Sequence, residues 1–149
     1  MTQSLWFFGN LFNIIADHTT TGGQYDLLEG YFPSGSQTPL HRHTRYSEQV
    51  YVLEGEFTVW AGDNKVVLTT SESFLIPLGM PHTIAVLSDQ PARLLCVSAP
   101  SAFARLIETT GTLDQAGTPD MGLIERISAE IGDEILGPPG ALPAAAMAT

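Results

Sequence analysis

Gly35-Ser-Gln-Thr-Pro-Leu-His41-Arg-His43-Thr-Arg-Tyr-Ser-Glu48-Gln-Val-Tyr-Val-Leu-Glu-Gly55 is the stretch whose spacing decides how the chain folds. Two imidazoles stand one residue apart, and a carboxylate follows after a short connection. Side chains alternate across a strand, so His41 and His43 point to one face. Thr44 to Ser47 allow a reversal. Glu48 then opens the apolar run Val50, Tyr51, Val52, Leu53 and returns to that same face. Farther along, Pro77-Leu-Gly79-Met-Pro-His82 brings a third imidazole in after a Pro-x-Gly turn. Three nitrogens and one oxygen suit a divalent first-row metal and leave coordination positions open for chemistry. A solitary His-x-His on a strand is ordinarily a solvated pair. Here Glu48, Gly55, Pro77, Gly79 and His82 all fall in step with it, and His41, His43, Glu48 and His82 become the candidate ligands.

Outward from that stretch, Gly, Pro and Asp punctuate short apolar segments at close intervals, the rhythm of a sandwich or barrel and not of βαβ units. Strands are expected at 13–16, 25–32, 47–53, 56–61, 65–69, 73–76, 83–87 and 92–98. Gly62-Asp63-Asn64-Lys65 reads as a tight hairpin turn, and Gly55 as a reversal able to take positive φ. Two helices should follow. One runs from Ser101 to Glu108; the other starts at Pro119 with Thr118 as N-cap. Its apolar positions Ile124, Ile127, Ile131 and Ile135 recur at helical spacing until Gly137-Pro138-Pro139 stops it. The tail from Pro138 to Thr149 is uncharged and rich in Pro and Ala, which predicts flexibility. The organisation expected is thus an N-terminal arm of edge strands over 1–20, a β-barrel over 21–99, helices over 100–137 and the tail over 138–149.

At its histidine and glutamate positions the chain resembles the cupin superfamily. The first cupin motif is met in full: Gly35, five residues, His41, one, His43, four, Glu48, six, Gly55. The second is met at Pro77, Gly79 and His82, whereas Ser71 stands for its opening glycine and Val86 for its closing asparagine. Those departures touch turn geometry and a neighbouring polar group, not the ligands. Flanking segments resemble the small monocupins related to quercetin 2,3-dioxygenase: Thr21 to Glu29, Pro100 to Phe103 and Leu136 to Pro139. The resemblance implies an all-β fold, a double-stranded β-helix or jelly-roll barrel with a short C-terminal helical extension. It also implies a metal at the barrel mouth, and small cupins commonly pair as homodimers.

Composition narrows the partners. The chain has 149 residues, 44% of them hydrophobic, enough for one domain with a sizeable core. Its formal charge of −10 argues against nucleic acid or an anionic membrane as partner, since both favour a basic surface. One cysteine, Cys96, has no internal partner for a disulfide. It lies in the apolar run Leu94-Leu95-Cys96-Val97 and reads as a small core residue. No basic region precedes the apolar opening residues, and no stretch approaches the roughly 20 apolar residues of a membrane span, so a cytoplasmic location is expected. Leu5, Trp6, Phe7, Phe8, Leu11 and Phe12 either cover the barrel's own edge or swap onto a second subunit; a homodimer is expected.

An apolar barrel interior would suit a hydrophobic or aromatic molecule with one oxygen-rich end. Alternation points Val50, Val52, Ile84 and Val86 inward near the ligands, with Phe57, Val59, Phe74, Ile76, Tyr25 and Met80 as further lining candidates. The cofactor would be Fe, Mn, Ni, Co, Cu or Zn, all of which accept this ligand set. The likeness to quercetinases implies a dioxygenase acting on a small aromatic, flavonol-type or enol substrate, with Glu48 as both ligand and general base. A binding or sensing cupin without turnover, and a metal-dependent isomerase or lyase, are the alternatives. Protons compete with metal for imidazole, so affinity should fall as pH drops toward and below about 6.5. Arg42 and Arg45 alternate away from the ligand face. Tyr46 and Tyr51 read as rim residues with polar tips, and His18 as a solvated loop residue outside the site.

Overall fold

Alternation of buried and more exposed residues marks several of the longer strands of the computed structural model, which describes residues 3–143. The chain order is β1 (Gln3–Phe7), β2 (Asn10–Ala16), α1 (His18–Thr21), β3 (Asp26–Phe32), β4 (Leu40–His43), β5 (Ser47–Glu54) and β6 (Phe57–Ala61). There follow β7 (Asn64–Leu68), β8 (Ser73–Ile76), β9 (His82–Ala85), β10 (Ala92–Ala99), α2 (Phe103–Thr110), α3 (Met121–Ile131) and β11 (Asp133–Gly137). All pairings are antiparallel. One sheet runs β1-β2-β3-β10-β5-β8 and the other β11-β4-β9-β6-β7, the two layers of the expected jelly-roll.

The layers share one core. Along β10, Ala92, Leu94, Cys96 and Ser98 turn inward, and the first three join a core with Leu28 of β3, Val50 and Val52 of β5, Phe57 and Val59 of β6, and Ile84 of β9. Each of the Leu, Val, Ile and Phe side chains among them gains about 1.5–3 kcal/mol from leaving water. Phe12, Phe32 and Phe57 chain together edge to face, with ring centroids 5.7 and 5.3 Å apart. A second, smaller core packs α2 and α3 together through Leu106, Ile124, Ile127 and Ile131, with Tyr46 beneath them. Asp26 is buried at the junction of the two. Its Oδ2 accepts the Ser98 hydroxyl and the N–H groups of Ala102 and Ala104, so a carboxylate on β3 caps α2.

The N-terminal apolar residues extend the first sheet of their own chain, β1 pairing with β2 and β2 with β3. No helix among the described residues is long and apolar enough to cross a membrane. Gly55 takes φ 80°, and β6 and β7 join through Gly62 and Asp63, as the turn signals predict.

Several boundaries differ from the sequence-based expectation. The helix expected from Pro119 to Gly137 is shorter: Asp120, not Thr118, caps it by accepting the Leu123 N–H, and it ends at Ile131. Gly132 at φ 88° closes it, and a Cβ there would meet the Thr44 hydroxyl and the Arg45 side chain at 2.7 Å. The chain then runs on as β11, where Ile135 is 63% exposed and not part of the apolar stripe. The polar run after Asp17 is a capped helical turn and not a loop. Strand β11 was not expected, β1 falls within the expected N-terminal arm of edge strands, and β2 begins three residues earlier than Asn13. Of the tail, residues 144–149 lie outside the described residues; nearer the barrel, the Ala141 N–H donates to the Pro138 carbonyl.

Ser71, where the motif has glycine, takes φ 71° in the turn between β7 and β8. A side chain in the left-handed region costs on the order of 1 kcal/mol, partly offset by the flexibility glycine adds to the unfolded chain. Ser71→Gly is therefore expected to stabilise the fold by about 0.5 kcal/mol, seen as a higher urea midpoint at unchanged slope. A lower midpoint would contradict it.

Candidate metal centre

Strand pairing brings the three imidazoles into one cluster. His41 and His82 are direct cross-strand partners between β4 and β9, and His43 follows His41 on the same face. Their ring centroids lie 4.2 Å apart for His41 and His82, 4.9 Å for His41 and His43, and 4.8 Å for His43 and His82. One ligand nitrogen from each lies within 4.8 Å of the others. Glu48 enters from the opposite layer: it sits on β5, between Ser98 of β10 and Ile76 of β8. Its Oε2 is 2.8 Å from His43 Nε2 and 3.5 Å from His82 Nε2. Two ligands at right angles about 2.1 Å from one ion would stand about 3 Å apart, so this spacing suits a shared cation. The structure thus gathers all four candidate ligands.

Each ring is oriented by its outer nitrogen. His41 Nδ1 stands 2.7 Å from the Pro39 carbonyl and His82 Nδ1 2.9 Å from that of Met80. His43 Nδ1 is 2.6 Å from Asp133 Oδ1. With acceptors outside, the Nδ1 positions carry the protons in the neutral rings and the Nε2 lone pairs face inward. His82 Nε2 is fully buried and has no hydrogen-bond partner among the described residues. An orphaned buried nitrogen beside a carboxylate and two further imidazoles is what a cation would satisfy. The donor set fits a divalent transition metal.

Electrostatics of the metal-free cluster centre on His43. Burial opposes charge on its ring, but the bonds to Asp133 and Glu48 outweigh that and raise its pKa to about 9. Burial, assisted by the neighbouring imidazoles, lowers His41 to about 3. For Glu48, burial favours the neutral acid, yet the hydrogen bond with His43 and the nearby His82 ring hold the carboxyl well below its ordinary range. His43 thus lies between two carboxylates that favour its protonated form.

Three contributors escape the sequence reading. Asp133 is 6% exposed on β11 and accepts at one oxygen from both His43 and the Tyr46 hydroxyl, the latter at 2.7 Å. Tyr46 is not a rim residue: it is buried and stacks on His43 with centroids 4.3 Å apart. Cys96 is the small core residue expected, but its thiol also donates to Glu48 Oε1 at 3.1 Å. Burial raises that thiol well above its usual pKa, so it stays neutral and serves as a donor. For the first of these, Gly132 just before Asp133 is the one sequence signal that could have ended the helix early.

Of the lining candidates, Val50, Val52, Phe57, Val59, Ile76, Ile84 and Val86 are buried in the main core, while Phe74 and Met80 pack partly buried against it. Tyr25 does not join them. It precedes β3, whose inward positions are Asp26, Leu28, Gly30 and Phe32, so alternation turns Tyr25 outward, 43% exposed. Tyr51 and His18 are exposed, Arg42 pairs with Glu134 at the surface, and Arg45 donates to the Glu130 carbonyl. The open side of the cluster is that of His41, which is half-buried, and of Glu48, which is 13% exposed.

Residues 28–98 match the family model described as a cupin domain, and all four candidate ligands fall within that span. An uncharacterized protein of Methanocaldococcus jannaschii is 33% identical over 79 residues, covering 53% of this chain and 63% of its own. Quercetin 2,3-dioxygenase of Bacillus subtilis is 26% identical over 101 residues, 68% of this chain and 30% of its own. The chain therefore spans less than two thirds of either relative. Among solved structures, an RmlC-like cupin from Shewanella frigidimarina superposes with a TM-score of 0.61 at 23% identity, over 70% of this chain and 89% of that one. The fold is that of the cupins, and the sequence match to the cupin domain covers residues 28–98.

Proposed function

We propose that this chain is a small cupin that holds one divalent transition-metal ion at His41, His43, Glu48 and His82 and acts as an oxygenase on a small aromatic or enol-bearing molecule. The observation that carries the metal assignment is the buried, unpartnered Nε2 of His82 beside Glu48 Oε2. The oxygenase assignment draws on the likeness to a quercetin 2,3-dioxygenase and on the apolar residues next to the cluster. When bound, the ion supplies Lewis acidity and exchangeable positions for dioxygen and a chelating oxygen.

The chain's own residues do the rest. Glu48 stays ionised and presents Oε2 to the cluster, ready to take the proton of a substrate hydroxyl. The Cys96 thiol holds its other oxygen and fixes which one is offered. Val50, Val52 and Val86 keep water from the inner side, leaving the approach along His41.

Oxygen uptake by the metal-loaded protein with a panel of catechols and flavonols tests the assignment. Uptake matching substrate loss is expected, and Glu48→Ala should slow it by at least about 100-fold, the usual contribution of a general base. Turnover that proceeds equally well without oxygen would contradict it and favour an isomerase or lyase. A second reading, a metal-bearing binding module without turnover, has one observation in its favour. Val50, Val52, Phe57, Val59, Ile76 and Val86 are at most 1% exposed, so the barrel beside the cluster is tightly filled. Tight binding of a panel member with no product would support that reading.

A further inference from the structure

We propose that Asp133, which lies outside the cupin domain of residues 28–98, is a positioning residue of the metal centre, so that the C-terminal extension completes the site. This rests on the metal reading above and concerns only how His43 is held.

Two independent features of the structure place the carboxylate. The first is backbone register: β11 pairs with β4, and Asp133 stands directly opposite His43. Gly132 makes this possible, ending α3 in the left-handed region while its carbonyl accepts the Thr44 N–H at 2.8 Å. The second is side-chain convergence. His43 Nδ1 and the Tyr46 hydroxyl both meet Asp133 Oδ1, at 2.6 and 2.7 Å, in a nearly dry setting. The other two histidines lean on backbone carbonyls of their own loops, Pro39 and Met80. His43 alone is held by a side-chain carboxylate from another part of the chain, an arrangement that fixes the ring and its tautomer and makes Nε2 a better donor.

A purely structural role would make Asp133 an anchor of β11 and nothing more. Glu134 separates the two, because it also ties β11 to β4, through Arg42, without touching a histidine. The experiment measures Co2+ affinity by chelator competition above pH 9, where proton competition at His43 has levelled off, and records the visible spectrum of the Co2+ protein for the wild type, Asp133→Asn, Glu134→Gln and His82→Ala. Asp133→Asn is expected to bind Co2+ 10- to 100-fold more weakly, with a shifted spectrum. Glu134→Gln should bind within twofold of wild type with its spectrum unchanged. An Asp133→Asn protein that matches wild type in both respects would overturn the inference. So would an equal loss in Glu134→Gln.

Should Asp133→Asn fail to fold, the wild type still decides. In the Zn2+ protein labelled with 15N-histidine, His43 is expected to carry a protected proton on Nδ1, and metal on Nδ1 or an unprotected proton would contradict the proposal. The two readings fail distinguishably. Wild type that takes up no Co2+ removes both. Wild type that binds, His82→Ala that does not, and Asp133→Asn that binds as wild type remove the positioning role alone.

Discussion

His82→Ala is expected to lower the affinity for Zn2+ or Co2+ by at least about 100-fold, with His41→Ala and Glu48→Ala close behind. Changes one layer farther out already cost 10- to 100-fold at metal sites, and loss of a ligand costs more. His82 is the most telling position because its ring is fully buried and its Nε2 has no other partner. In the metal-free protein that nitrogen is a buried polar atom without a bond, which costs about 1–3 kcal/mol. Removing the ring removes that penalty but leaves a cavity, so stability of the apo form should change far less than metal affinity does. Thermal melts with and without metal separate the two effects. Metal should raise the melting temperature of the wild type and leave His82→Ala unmoved. Equal metal protection of both would contradict the assignment.

A second large effect concerns pH. Metal cannot bind while His43 Nε2 carries a proton, and its partners raise that pKa to about 9. Between pH 7 and 9 the apparent affinity is expected to climb about tenfold per unit, roughly 100-fold in all, and to level off above 9, with one proton released per ion from this group. His41, held at about 3, does not compete in that window. The ordinary imidazole value, used as the sequence-based expectation, would have placed the plateau above about 6.5. The sign for folding follows. A pKa raised above its unfolded value stabilises the apo protein fully below about 6.5, and that contribution disappears as pH rises through 9. Apo protein should therefore lose stability between pH 6.5 and 9, while the metal form keeps its own. Chelator competition at fixed free metal, corrected for the chelator's protonation, checks the slope. A flat profile from pH 7 to 9 would show that His43 is not clamped as described.

The candidate ligands could be picked out in the sequence because each rests on local rules. His41 and His43 share a face by alternation, Glu48 returns after a short connection, and His82 follows a Pro-x-Gly turn. What stayed hidden was non-local. Asp133 reaches His43 only because Gly132 ends α3 and β11 then pairs with a strand some 90 positions earlier, and no periodicity encodes that pairing. Ile135, four residues after Ile131, imitates another helical turn, which is why the strand read as helix. Tyr25 was misplaced by a simpler error of parity, since the inward set on β3 begins at Asp26. Tyr46 followed the same pattern as Asp133. Its burial comes from α2 and α3 packing over it, which the motif around it does not foreshadow.

The most direct test is an anomalous-diffraction map from crystals grown with Co2+ or Zn2+. The account predicts one ion per chain, within about 2.3 Å of Nε2 of His41, His43 and His82 and of an oxygen of Glu48. An ion bound elsewhere, or none at a concentration that saturates the protein in solution, with the four side chains unchanged, would contradict it.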